Sequence, residues 1–182
     1  MSITAKLKKP IVIVGLMGAG KTSVGKLLAK RLGLPFMDSD SEIVAAAGCS
    51  VIDIFSIYGE AEFRRMEDRV IARLLSDGVQ KVISTGEGAF IIPSVRERVK
   101  KEAVSIWLKA SLPLLVKRTG LKDTRPLLLH RNGEKILADL MDKRYPVYAE
   151  ADITVETYDE PTFKTTNNTM GALAKYLEGQ NA

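Results

Sequence analysis

One eight-residue segment constrains this chain more than any other: Gly15-Leu16-Met17-Gly18-Ala19-Gly20-Lys21-Thr22 matches G-x-x-x-x-G-K-[ST] at every fixed position. Ahead of it stands the apolar run PIVIV at 10–14, the pattern of a strand buried on both faces. Behind it Val24, Leu27, Leu28 and Leu32 recur at helical spacing, and Gly33 stands where a glycine ends a helix. Strand, glycine loop and helix in this order point to an open α/β sheet whose first loop binds phosphate. The N–H groups of Gly18, Ala19, Gly20, Lys21, Thr22 and Ser23 are the expected phosphate ligands, aided by the positive end of the helix. Lys21 reaches the β- and γ-phosphates of a nucleotide, and the Thr22 hydroxyl serves Mg²⁺.

The rest of the chain alternates in the same way. Further strands are expected at 35–37, 81–84, 103–108 and 152–155, with helices from about Glu42 to a stop at Gly48, at 59–75, 95–101, 111–118, 134–145 and 162–177. In the helix at 59–75, Phe63, Met66, Val70, Ile71 and Leu74 form the buried stripe, with Glu62, Arg64, Arg65 and Asp68 off it. Such alternation implies a parallel sheet covered on both faces. Trp107 lies in an apolar run and belongs to the core. Residues 119–133 lose the regularity and read as a lid loop within a single domain spanning 1–182, with the lone histidine, His130, as a solvated loop residue.

Composition narrows the partners. The net charge of +5 suits nucleic acid, an acidic membrane surface or small anions, but the basic residues are dispersed and aromatics total 6%, which argues against a nucleic-acid platform. No stretch approaches the roughly 20 apolar residues that span a bilayer, so a cytoplasmic protein with no membrane partner is expected. Cys49 is the only cysteine and reads as a buried structural thiol.

An Asn-Lys-x-Asp guanine-reading segment is absent, and the strand ending at Ser84 lacks a Walker B aspartate. Asp38, at the carboxyl end of the second strand, is the best remaining acid for the metal. The acids at 38–41 also suit a simple helix cap. Arg64 is at helical spacing for Glu60 or Asp68 on a solvated face, and Arg144 suits an exposed helix end.

Across nearly its whole length the chain resembles the shikimate kinase family, through GLMGAGKT, the DSD at 38–40, FRRMED from Phe63, STGEGA from Ser84, RPLL from Arg125 and KRYPVY from Lys143. The resemblance implies a three-layer P-loop kinase fold, a five-stranded parallel sheet flanked by helices with a lid. It also implies an ATP-dependent kinase that transfers the γ-phosphoryl group to the 3-hydroxyl of shikimate, on the route to chorismate and aromatic amino acids. By that resemblance Asp38 lies beside Mg²⁺, Asp40 holds the acceptor hydroxyls, and Arg64 and Arg144 clasp the acceptor carboxylate. Arg125 closes over the ATP phosphates and Arg118 lies against adenine. Lys21, Asp40 and Arg125 are thus the expected catalytic residues, and Gly86, Glu87 and Gly88 join the acceptor contacts. ATP and shikimate are the expected partners of a monomer. Two departures stand out. Glu87 occupies the middle of what the family has as three glycines, where a side chain is expected to meet a backbone that needs glycine. Residues 157–160, after the last strand, offer no adenine-contacting arginine.

Overall fold

The structure is a computed structural model and describes residues 3–120 and 133–180. Five parallel strands form one sheet in the order β2-β3-β1-β4-β5: β1 (Ile11–Val14), β2 (Phe36–Asp38), β3 (Val82–Ser84), β4 (Val104–Ala110) and β5 (Ile153–Thr157). The central strand β1 has every side chain buried and pairs Ile13 with Ser84 of β3 and with Ile106 of β4. An unbroken apolar run folds this way because neither face meets water.

The helices are α1 (Ile3–Lys6), α2 (Lys21–Leu32), α3 (Ser39–Ala47), α4 (Val51–Ser76), α5 (Pro93–Glu102), α6 (Leu112–Gly120), α7 (Gly133–Tyr148) and α8 (Thr162–Gly179), with a 3-10 turn at Ala89–Ile91. All five expected strands are present within two residues of their expected ends, and α2 has the expected limits, closed by Gly33 in the left-handed region. Helix α3 begins three residues earlier than its apolar pattern indicates. Asp38 caps it by accepting the Ser41 N–H at 3.0 Å, so the polar residues Ser39 to Ser41 form its first turn.

The long helix α4 also starts earlier than expected, at a capping box in which Ser50 and Asp53 bond each other's backbone N–H groups. It is broken at Gly59, whose φ of 81° and ψ of 170° are not helical. Beyond the break, Phe63, Val70, Ile71 and Leu74 are buried as their spacing requires, and Glu67 is buried with them, which apolar periodicity does not reveal. Cys49 is half-buried against the core rather than fully enclosed, because it lies in the exposed turn between α3 and α4. Trp107 is a core residue, stacked edge-on against Tyr145.

Candidate active site

The carboxyl ends of β1, β2 and β3 meet at one rim of the sheet, where open α/β sheets bind ligands. After β1 the chain enters the glycine loop. Gly18 and Gly20 take φ of 82° and 96°, which lets the loop curl and then open directly into α2. The Lys21 ammonium folds back over the loop and donates to the Leu16 carbonyl at 3.0 Å. Gly18, Ala19, Gly20, Lys21, Thr22 and Ser23 all line a cavity of about 430 Å³, together with Val24, Arg118, Asp159, Glu160, Thr162 and Thr165. Loop amides, a helix N-terminus and an ammonium facing one cavity are what a nucleotide's phosphates require.

Arg118 closes one wall of this cavity. Its guanidinium donates to the carbonyls of Gly18 at 3.2 Å and Tyr158 at 2.7 Å, tying the phosphate loop to the segment after β5. That segment has no arginine and contributes carboxylates to the cavity instead, with Asp159 bonded to Lys117 at 2.5 Å.

At the end of β2, Asp38 acts twice. Its Oδ1 caps α3, and its Oδ2 accepts the Thr22 hydroxyl at 3.3 Å. The helix-cap reading and the metal reading of this aspartate are therefore compatible. Among the described residues, no group of three or more His, Cys, Asp or Glu side chains is placed to hold a metal ion. Thr22 and Asp38 present two hard oxygens at the phosphate end, which fits a cation of the Mg²⁺ type that takes its other ligands from water and phosphate.

Two residues further on, Asp40 begins a second cluster. Gly86 and Gly88, which follow β3, approach it so closely that a side chain at either would force its neighbours to shift. A Cβ on Gly86 would lie 2.7 Å from Asp40 Oδ1 and 2.8 Å from Glu67 Oε1, and one on Gly88 would lie 2.1 Å from Arg64 Nη1. The loop is fixed from both sides: Ser39 Oγ accepts the Gly86 N–H at 3.1 Å, and the Tyr148 hydroxyl donates to the Glu87 carbonyl. Asp40, Arg64, Glu67 and Glu87 thus come from α3, α4 and the β3 loop to one place. Arg144 of α7 lies close enough to act on Tyr148, whose hydroxyl holds the loop.

The cluster carries unmet polar demand. Among the described residues, Asp40 Oδ1, Glu67 Oε1 and Arg144 Nη1 are all buried without a hydrogen-bond partner. Buried polar atoms are normally paired, so such a concentration marks a place where a ligand's polar groups belong. Burial, reinforced by the charges of Glu87 and Asp38, pushes the Asp40 carboxyl up to about 6. Burial likewise pushes Glu67 up to about 7 although Arg64 is bonded to it.

Of the two arginines expected to clasp the acceptor carboxylate, Arg64 has partners within the cluster. Arg64 already donates to Glu67 Oε2 at 2.5 Å and to Glu60 at 3.2 Å, the latter being the contact that helical spacing indicates. The buried Arg144 Nη1 has no hydrogen-bond partner among the described residues. Glu67 and Ser39 escaped sequence reasoning as site residues. Both lie within the motifs FRRMED and DSD, and a carboxylate on the apolar stripe of α4 was the available signal. Glu87 needs no glycine-like backbone, since no non-glycine residue among those described has positive φ. Arg125 and His130, with nearly all of the expected lid, lie outside the described residues.

Comparison with known proteins agrees with this geometry. A family model described as shikimate kinase matches residues 17–174. The chain is 51% identical over 176 residues to a shikimate kinase of Paramagnetospirillum magneticum, covering 97% of this chain and 90% of the relative. It is 52% identical over 153 residues to one of Caulobacter vibrioides, covering 84% and 76%. Among solved structures, a shikimate kinase from Acinetobacter baumannii in complex with shikimate superposes with a TM-score of 0.88 at 35% identity, covering 96% of this chain and 98% of the other. A nucleotide cavity and an acid-and-arginine cluster at one sheet rim, with relatedness along most of the chain, place this protein in the shikimate kinase family of ATP-dependent kinases acting on a small-molecule alcohol.

Proposed function

We propose that the chain transfers the γ-phosphoryl group of ATP to the 3-hydroxyl of shikimate, giving ADP and shikimate 3-phosphate on the route to chorismate. The bond between the γ-phosphorus and the β–γ bridging oxygen breaks, a bond from that phosphorus to the acceptor oxygen forms, and the hydroxyl proton leaves. The observation that carries this reading is the place of Asp40. It lies between the two halves of the site, close enough to feel both Lys21 of the phosphate loop and Arg64 of the acceptor cluster. A carboxyl raised to about 6 is a competent proton acceptor near neutral pH. Positioning nevertheless supplies most of the rate in phosphoryl transfer.

The acceptor carboxylate takes the buried Nη1 of Arg144 and the exposed flank of Arg64. Its hydroxyls meet Asp40 Oδ1 and Glu67 Oε1, which satisfies all three orphaned atoms at once. At the other end Thr22 and Asp38 would hold Mg²⁺, which would neutralise phosphate charge when bound. Lys21 adds a positive charge to the transferring group. The chain acts in the cytoplasm as a monomer, a state that sedimentation of the purified protein tests.

The decisive experiment is ADP release with ATP and Mg²⁺ against a panel containing shikimate and gluconate, two carboxylates that differ in ring and hydroxyl geometry, with the product identified by mass. Phosphorylated shikimate is expected. Turnover of gluconate alone would overturn the assignment.

A further inference from the structure

Above about pH 7, once Asp40 and Glu67 are ionised, the acceptor cluster has more negative charge than the arginine bonded within it balances. Three carboxylates, Asp40, Glu67 and Glu87, act on one another there. Arg64 faces them and is engaged by Glu67 and by the more exposed Glu60, while Arg144 acts on the neighbouring Tyr148. Lys21 also acts on Asp40, but from the phosphate loop. Glu87 is half-buried, and among the described residues its carboxylate has neither an ion pair nor a hydrogen bond. Its backbone is held firmly: the Glu87 carbonyl accepts the Tyr148 hydroxyl, and Gly86 and Gly88 on either side are wedged against the Asp40–Glu67 pair and Arg64. The side chain therefore departs from a fixed point between the two acids and Arg64.

We propose that Glu87 is a specificity-determining residue of the acceptor site, whose carboxylate, without an ion pair among the described residues, weakens the binding of an acidic acceptor and weakens that of its phosphorylated product still more. This rests on the acceptor being a carboxylic acid, as in the function proposed above. The acceptor brings one negative charge to the cluster. The product brings the same carboxylate and a phosphate group carrying close to two more at neutral pH, so a fixed carboxylate repels it more strongly. Glu87 thus exchanges affinity for the acceptor against faster clearance of the product.

The test compares the parent with Glu87→Gln, which keeps size and backbone and removes the charge, and Glu87→Asp, which keeps the charge. Steady-state rates are taken at pH 8, where the Glu67 carboxyl is ionised, at low and high salt, with product inhibition measured in each. In Glu87→Gln the KM for shikimate should fall about threefold to tenfold. The inhibition constant of shikimate 3-phosphate should fall by a larger factor, and the KM for ATP should hold. Because salt screens repulsion, the acceptor KM should rise more steeply with salt in Glu87→Gln than in the parent. Glu87→Asp should retain the parental KM. An unchanged or higher shikimate KM in Glu87→Gln, or equal shifts for acceptor and product, would overturn the inference while leaving the function intact. A parent that does not phosphorylate shikimate would overturn the functional reading itself.

Discussion

Arg64 Nη1 donates to Glu67 Oε2 at 2.5 Å from a side chain 27% exposed to one only 1% exposed, so an ion pair with one wet end and one dry end stands inside the acceptor cluster. The pair orients the arginine, and the other oxygen of Glu67 has no hydrogen-bond partner among the described residues.

That asymmetry makes stability depend on pH. The folded Glu67 carboxyl keeps its proton up to about pH 7, whereas its ordinary value is 4.5. The folded state therefore binds more protons than the unfolded state across this window. The contribution is full below pH 4.5 and is lost as pH rises through 7, amounting to about 1–3 kcal/mol. Denaturant melts at pH 5 and pH 8 should show a smaller loss of stability in Glu67→Gln than in the parent. An equal loss in both would remove Glu67 as the source.

Lys21→Ala should leave the fold intact, since the side chain packs on the loop rather than in the core, and should lower kcat by about 10²–10³ through the lost charge at the transferring phosphate. Circular dichroism and single-turnover rates on the same sample check both parts.

Arg144→Ala should raise the shikimate KM by a factor equivalent to about 2–5 kcal/mol and leave the KM for ATP nearly unchanged. Calorimetric titration with each ligand separates the two. Comparable losses for both would mean that Arg144 supports the whole site and not the acceptor carboxylate.

Gly88→Ala is the sharpest steric probe. The added Cβ would stand 2.1 Å from Arg64 Nη1, so the arginine must swing aside. Overpacking of this kind costs about 1–3 kcal/mol. The shikimate KM should rise about tenfold or more, with thermal stability falling by only a few degrees. A parental KM would show that Arg64 does not contribute to acceptor binding from its present position.

What the sequence made legible follows from how local each signal is. The phosphate loop is readable because eight consecutive residues contain both the turn and its ligands, and the strands are readable because β1, β3 and most of β4 are dry on both faces. Asp40, Arg64 and Arg144 were individually ambiguous, since an acid in a first helical turn or an arginine beside a glutamate is usual on any surface. Only their convergence, which depends on the β2-β3-β1 order, separates them from surface charges. Glu67 was hidden because periodicity counts apolar residues, and this carboxylate is buried by the loop at Gly86 rather than by its own helix. Glu87 was visible as a departure, but its ordinary backbone conformation was not.

The interruption at Gly59 divides α4 into segments that unfold at different cost. Between Val51 and Tyr58 only Ile54 is buried, whereas beyond Gly59 the helix buries Phe63, Glu67, Val70, Ile71, Leu74 and Leu75. The first segment touches the second through Phe55, whose ring centroid lies 4.6 Å from that of Phe63. Local opening costs least where few apolar contacts are given up. Amide protons at 52–58 should consequently trade with solvent deuterium far sooner than those at 63–75, and the segment bearing Arg64 and Glu67 keeps its protection while its neighbour frays.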